Sequence, residues 1–505
     1  MDRKPIMLAF SQALSLSLLH PYFFKGMVEP FYTALSEQFQ LIIVDHYDDV
    51  AESINNVSPD IIMIDPGPAV MRSELPNPEV LQQCMLPKVI YTTLDAHYHS
   101  HQEIIEFAEK IVPDAIFSHD FYHDFYPAKW HKKLFYIPNS YNHMLFRNRN
   151  LPKDIVCGFY GAGFFDGQNY PWRKRIAARV VPEFPSYILP RPTGLRDHGI
   201  VGENFVKVMN RTQFIFGCTS VKDIPVKKLF EIPACGGLLM VNDSVVLGQL
   251  GFKDGVNCCV VDSHNVLQRI RFYLDAPDEY NKVVHAGQML VEEFHQSAHR
   301  RHILNWFKAW KRKERIGRVE QSSWLGEFQV RMPDESSIGG LFAETDIGKT
   351  LKAARNNWAV GSYVEAGKFY ADISQHCPLL AESSIGYVAS LIYQGKFETA
   401  AAFIEKYARL MRHRNSSVIN LQLLTYALLL KLFGYTSSEA DEFFANHALW
   451  DFNVNVDLNS VIQRLGISVD ESCFSYTNTE LAESTFTEHI QILVDQAKSH
   501  LSQDT

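Results

Sequence analysis

The sequence predicts an α/β protein of two successive parallel-sheet lobes, followed by an all-α part. Three observations lead there. From the start to about residue 149, apolar runs of four or five residues alternate with helical patterns, as in a parallel sheet covered by helices on both faces. The alternation restarts at Ile155 and runs to about Arg318. From about Phe342 the strand pattern stops, and Gly361/Gly395, Tyr363/Phe397 and Ala366/Ala400 recur at a 34-residue spacing.

Composition sets outer limits. The 505 residues are too many for one core and suggest about three domains. A hydrophobic share of 46% and a charged share of 21% describe an ordinary globular chain. A formal charge of −9 argues against nucleic-acid binding. The 8 cysteines are scattered without a C-x-x-C pair, which predicts free thiols in a reducing compartment. The N-terminus has no long apolar stretch before a cleavage site, and no uncharged run is of membrane-spanning length, so a cytoplasmic location is expected.

In the first lobe (1–149), strands are expected at Ile6–Phe10, Leu41–Val44, Ile61–Ile64, Val89–Tyr91 and Ala115–Phe117. Helices are expected over Met27–Phe39, Asp49–Val57 and Gln102–Ile111. Ligands of such sheets bind beyond the carboxyl ends of the strands. After the fourth strand stand Asp95, His97, His99 and His101, and after the fifth comes S-H-D-F-Y-H-D. His and Asp at short spacing can hold a metal. The alternatives are that Asp95 or His97 faces the cleft as a general base or acceptor contact, or that the Asp caps the next helix. The expectation is no metal.

The second lobe (150–318) opens with Ile155–Tyr160 followed by Gly161-Ala162-Gly163. Glycines directly after a strand let the backbone approach a ligand, typically phosphate. Arg173, Lys174 and Arg175 open the next helix and either add charge there or form a solvated face. The most informative stretch is D-I-P-V-K-K-L-F-E-I-P-A-C-G-G-L-L-M-V-N, Asp223 to Asn242. Lys227 to Pro233 suits a short helix, Cys235-Gly236-Gly237 ends it, and Leu238–Val241 reads as a buried strand. Glu231 lies one turn from Lys227 and Lys228, so the residues share a face. That spacing fits a surface helix with an ordinary ion pair as well as a phosphate site.

K-K-L-F-E-I-P-A-C-G-G-L-L-M-V resembles the donor-site signature of GT-B glycosyltransferases, and its local wording is similar to the CgeB-like (spore-maturation-protein) branch. F-Y-I-P-N-S-Y-N-H-M-L-F (135–146) resembles the segment joining the two GT-B halves, with Ser140 in place of the usual Gly. G-F-K-D-G-V-N-C-C-V-V resembles the turn and strand near the end of GT-B donor domains. The resemblance spans roughly residues 1 to 300 and is specific between 211 and 262.

It implies a glycosyltransferase whose nucleotide-sugar donor is a substrate held by the second lobe, with no cofactor. Lys228 and Arg173 would offset diphosphate charge without a metal, the chain having no D-x-D at a strand end. Glu231 would accept the ribose hydroxyls as second acid of a pair with Asp223, while Gly161, Gly163, Gly236 and Gly237 admit the donor. Asp95, His97 and Asp223 are then the candidate catalytic residues, with a protein or cell-surface glycan as acceptor. A non-catalytic scaffold and a nucleotide-sugar epimerase are the competing classes.

His295 to Arg318 reads as one basic helix with Ile303, Trp306, Phe307 and Trp310 on a face. It suits either the inner surface of a membrane or packing back onto the first lobe. Residues 319–341 read as a linker, and 342–505 as helical hairpins with the tetratricopeptide period, a weaker third copy starting at Gly434. Such hairpins leave homo-oligomer formation open.

Overall fold

The computed structural model describes residues 3–11, 29–44, 48–65, 75–92, 100–119, 126, 128–161, 170–189, 200, 202–220, 223–313, 317–332, 346–376 and 381–411. Two compact units form, residues 1–95 with 107–345, and 96–106 with 346–505.

In the first lobe the elements run β1 (Ile6–Ser11), α1 (Glu29–Gln38), β2 (Gln40–Val44), α2 (Val50–Val57), β3 (Ile61–Asp65), α3 (Glu79–Gln83), β4 (Lys88–Thr92), α4 (Ser100–Ile111), β5 (Ala115–Ser118) and β6 (Leu134–Tyr136). They make a parallel sheet of order β2-β1-β3-β4-β5-β6. Continuous apolar runs produce it because both faces are covered: Met7, Leu8, Ala9, Ile61, Ile62 and Met63 are fully buried. Local polar groups set the boundaries. Asp49 caps α2 by accepting from the Glu52 amide at 2.9 Å, and Asp60 accepts from the Ile6 amide at 2.8 Å. The sixth strand overlaps the start of the stretch read from sequence as the inter-lobe junction.

The second lobe repeats the plan with β7 (Ile155–Tyr160), α5 (Pro171–Val180), β8 (Ser186–Leu189), α6 (Gly202–Asn210), β9 (Thr212–Phe216), α7 (Lys228–Ala234), β10 (Leu238–Val241), α8 (Val245–Gln249), β11 (Cys259–Val260), α9 (Val266–Asp275) and α10 (Pro277–Phe294). Its parallel sheet has the order β11-β10-β9-β7-β8. In both sheets the chain steps from the first strand to one neighbour, then crosses to the other side. The crossings lie between β1 and β3 and between β7 and β9. At such a switch point the connections leave in opposite directions and open a crevice beyond the strand ends.

Two sequence readings need correction. His295 to Arg318 is not one helix: α10 stops at Phe294, a short 3-10 turn spans Ser297–His299, and α11 covers only His302–Arg312. Arg300 accounts for the break. Its buried guanidinium donates to the carbonyls of Pro138 (3.0 Å), Asn139 (2.7 Å) and Phe294 (2.8 Å), and to His295 Nδ1 (3.1 Å), tying both inter-lobe segments together. The supposed linker holds a hairpin of β12 (Arg318–Gln321) and antiparallel β13 (Phe328–Arg331).

Ile303, Trp306 and Phe307 of α11 join Met63, Val89, Phe117 and Phe135 in the first-lobe core, with Val319 of β12 beside them. Trp306 meets Phe117 edge-on at 6.1 Å. The aromatic face of α11 is therefore spent on packing and is not presented to a membrane. No helix among the described residues is long and apolar enough to cross one.

The helical unit shows α12 (Asp346–Ala359), α13 (Tyr363–His376), α14 (Ala381–Tyr393) and α15 (Phe397–Met411). Gly361 and Gly395 hold positive φ of 77° and 70° between helices, and Ala366 and Ala400 are fully buried. The copy expected from Gly434 lies outside the described residues.

Trp306 is only 1% exposed, so Trp306→Ala removes a large side chain from a core that three segments share. A loss of about 3–5 kcal/mol is expected in the denaturant unfolding of the first lobe; a change below roughly 0.5 kcal/mol would place Trp306 outside that core.

Candidate functional site

At the second switch point, Gly161 follows the end of β7 and β9 leads into Gly217-Cys218-Thr219-Ser220. Gly161 has a φ of 99°, which side-chain-bearing residues rarely adopt. A Cβ placed there would lie 2.8 Å from Lys228 Cε, 3.5 Å from Lys228 Nζ and 3.7 Å from Arg173 Nη1. The glycine is thus required by two cations that crowd the strand end. Arg173 is 2% exposed, donates to Cys218 Sγ at 3.2 Å, and sits 4.8 Å from the Tyr170 ring centre. Lys228 Nζ lies 5.0 Å from the Phe205 ring centre and 3.8 Å from Glu231 Oε2.

The helix carrying Lys228 and Glu231 is not a surface helix. Leu229 through Ala234 are all buried, and Glu231 is 5% exposed. A carboxylate this deep is costly unless charge-paired, and Lys228 supplies the charge. Lys227 precedes α7, and although the residue is only part-buried, desolvation of its ammonium lowers its pKa to about 8, partly offset by Glu231.

The sequence-predicted residues separate into groups. Gly161, Arg173, Lys228 and Glu231 come together. Asp223 sits at φ 57° in the turn before α7, its Oδ1 accepting from Thr219 Oγ1 at 3.2 Å. That turn is pinned from two sides. Asn242 bonds the Thr219 amide and hydroxyl at 2.9 Å each, and Asn139 from the junction donates to the Pro225 carbonyl at 2.9 Å. Gly236 and Gly237 answer to packing: a Cβ would lie 2.6 Å from Asn148 Nδ2 at the first and 2.7 Å from Ile215 Cδ1 at the second. Asp95, His97 and Gly163 lie outside the described residues. Among the described residues no cluster of His, Cys, Asp and Glu is placed to hold a metal.

The structure adds Ser11, Tyr32, Asp65 and Tyr91, which sequence reasoning passed over, and places His119 of the S-H-D-F-Y-H-D segment. In the first lobe, Ser11 ends β1 and pairs in register with Asp65, which ends β3. Tyr32 donates to Asp65 Oδ2 at 2.8 Å. Farther along the sheet, Tyr91 bonds His119 Nε2 at 3.2 Å while His119 Nδ1 contacts the Ile137 carbonyl at 2.6 Å. The carbonyl can only accept, so Nδ1 carries the proton and Nε2 accepts from Tyr91. Burial lowers the His119 pKa to about 4, with the charges of Lys227 and Arg300 acting the same way. His119 is therefore a neutral, doubly bonded strut. The signal for Asp65 was in the sequence: an ionisable side chain closing the apolar run I-I-M-I at the carboxyl end of a strand.

Residues 158–305 match a family model described as glycosyl transferase-like. No curated protein matches the chain. HepE of Anabaena, solved with UDP and glucose, is similar at 12% identity and a TM-score of 0.37, over 58% of this chain and 96% of that one. Sucrose-phosphate synthase of Thermosynechococcus elongatus is similar at 11% identity and a TM-score of 0.39, over 59% and 96%. The pneumococcal O-GlcNAc transferase GtfA follows at 12% identity and a TM-score of 0.30, over 50% and 55%. The matched residues 158–305 fall in the second lobe of this two-lobed α/β fold.

Proposed function

We propose that the chain transfers a sugar from a nucleotide-sugar donor, bound at the carboxyl ends of β7 and β9, to a protein or cell-surface glycan acceptor. The observation that carries this reading is the convergence of Arg173 and Lys228 on the Gly161 backbone. A departing nucleoside diphosphate gains negative charge as the glycosidic bond breaks. Cations fixed before the reaction stabilise that charge without reorganising, the task a metal performs in other folds. The two cations beside the Gly161 backbone are suited to phosphate oxygens, and the buried Glu231 carboxylate is suited to accept the ribose hydroxyls. Asp223 lies on the turn leading into α7, where it helps to shape the entrance. Asp95 and His97 remain candidates on the acceptor side.

The helical unit would assist acceptor capture or self-association. Its support is the 34-residue spacing and the paired positive-φ glycines, which fit tetratricopeptide-type hairpins. The CgeB-like branch is favoured by the wording F-E-I-P-A-C-G-G-L-L.

Thermal shift of the full chain against UDP-, GDP-, CMP- and dTDP-sugars tests the donor reading, since a ligand of the native state raises its stability as concentration exceeds Kd. One nucleotide series is expected to shift the melting temperature equally with and without EDTA. Glu231→Ala should weaken that donor roughly ten- to hundred-fold, the worth of a carboxylate–hydroxyl bond of about 1.5–3 kcal/mol. No shift with any series, or a shift abolished by EDTA and restored by Mn²⁺, would contradict the reading.

Lys227 yields a further expectation. Its pKa of about 8 lies below the ordinary 10.5, so near pH 8.5 much of it is neutral in the free protein. A bound diphosphate favours the ammonium and pulls in a proton. Calorimetry of UDP binding near pH 8.5, in two buffers of different ionisation enthalpy, should therefore report proton uptake, and Lys227→Met should remove it. Identical heats in both buffers would place Lys227 away from the phosphates.

A further inference from the structure

We propose that Asn139 is a positioning residue of the donor site: its carboxamide sets the start of α7, and with it Lys228, against Gly161. This rests on the donor reading of the second lobe and deepens it by naming a residue that acts on the donor through another.

The first support is a buried carbonyl that the helix does not serve. Pro225 is buried and lies three residues ahead of α7. The first turn of the helix bonds other carbonyls. The Leu229 amide donates to Val226 at 3.0 Å, and the Phe230 and Glu231 amides donate to Lys227 at 2.9 and 3.0 Å. The Pro225 carbonyl takes its hydrogen bond from Asn139 Nδ2 at 2.9 Å. A carbonyl can only accept, so the side-chain atom facing it is the amide nitrogen. Without that donor the buried carbonyl is costly, and the turn is driven to rearrange.

The second support is that burial leaves this end of the helix unfixed. Leu229 through Ala234 are buried and need no further anchor. Val226, Lys227 and Lys228 are only part-buried, so polar ties set their place. The preceding turn is tied at its far end by Asn242, which bonds Thr219, and at its near end by Asn139. A Cβ on Gly161 would lie 2.8 Å from Lys228 Cε, so a small shift at the start of α7 changes that contact.

The third support is that Asn139 is itself held. Arg300 Nη2 donates to its carbonyl at 2.7 Å, and Nε donates to the Pro138 carbonyl at 3.0 Å. With its backbone fixed, the short Asn139 side chain reaches the second lobe with little freedom to lose. The same segment approaches the donor lysines by another route. The Ile137 carbonyl bonds His119 at 2.6 Å, and His119 feels the charge of Lys227.

The test is a double-variant cycle on the full chain, with UDP affinity read by calorimetry. Asn139→Leu keeps the side chain's size and removes the donor. Lys228→Gln removes the charge that Asn139 places and keeps a donor for Glu231. Alone, Asn139→Leu is expected to weaken UDP roughly tenfold, the scale of one lost hydrogen bond. In the Lys228→Gln background the same change should cost less than about twofold, because the residue it acts through is gone. The salt dependence of UDP affinity is a second reading that needs no Lys228 variant. It should be shallower in Asn139→Leu, since a displaced cation leaves less charge attraction to screen. A residue needed only for stability would lower the melting temperature and leave both readings unchanged. Undiminished UDP binding by Asn139→Leu, an equal loss in both backgrounds, or an unaltered salt dependence would each overturn the proposal and leave the donor reading standing. Should Asn139→Leu not fold, Asn139→Ala takes its place with the same outcomes. Failure of both to fold would make Asn139 a stability residue and equally overturn the proposal. Failure of UDP to bind the unaltered chain would instead overturn both readings.

Discussion

The site depends on holding like charges close together. Arg173 and Lys228 come from separate helices, yet both reach within a few ångströms of where a Gly161 side chain would be. Two cations at that separation repel, and the repulsion is large because Arg173 is almost wholly removed from water. The fold meets it with rigid scaffolding. Cys218 and the Tyr170 ring hold the guanidinium, while Glu231 and the Phe205 ring hold the ammonium. Glu231 is itself fixed in a helix whose neighbouring residues are all buried. A site that stores positive charge in this way is preorganised for an anion, and a diphosphate fits both its sign and its place at a strand end.

Much of the fold was legible because parallel sheets write themselves plainly into sequence. Residues such as Ile61-Ile62-Met63-Ile64 must be apolar throughout when helices cover both faces. The Gly161 turn and the Lys228–Glu231 spacing were equally readable, since backbone conformation and helical period constrain them locally. What stayed hidden depends on contacts between residues far apart in the chain. The break at His295 follows from Arg300 bonding carbonyls more than 150 residues away. The β12–β13 hairpin was read as linker because the stretch is rich in Ser, Gly and charge, although Val319 and Trp324 are buried there. Gly236 and Gly237 look like donor glycines in sequence, but Asn148 and Ile215 occupy the space beside them. A sequence reading has no access to that crowding.

The two lobes differ in the charge at their strand ends: Arg173 and Lys228 crowd Gly161 in the second, and the Asp65 carboxylate accepts from Tyr32 in the first. Between them the 137–141 and 294–300 segments are fastened by Arg300, by the Tyr141 amide to the His295 carbonyl at 3.3 Å and by the Ser297 amide to the Tyr141 carbonyl at 3.1 Å. Burial and the Arg300 charge lower the His295 pKa to about 3, so this fastening stays uncharged at the histidine across the physiological range. Crossing chains held by main-chain contacts keep the junction fixed in register.

The central claim is that the charge gathered at Gly161 exists to hold a diphosphate, and locating bound UDP by crystallography tests it most directly. The account predicts phosphate oxygens within hydrogen-bonding distance of the Gly161 amide, the Arg173 guanidinium and Lys228 Nζ, with the ribose toward Glu231. UDP seated elsewhere in the chain, with Arg173 and Lys228 still facing Gly161 and making no contact to phosphate, would contradict it.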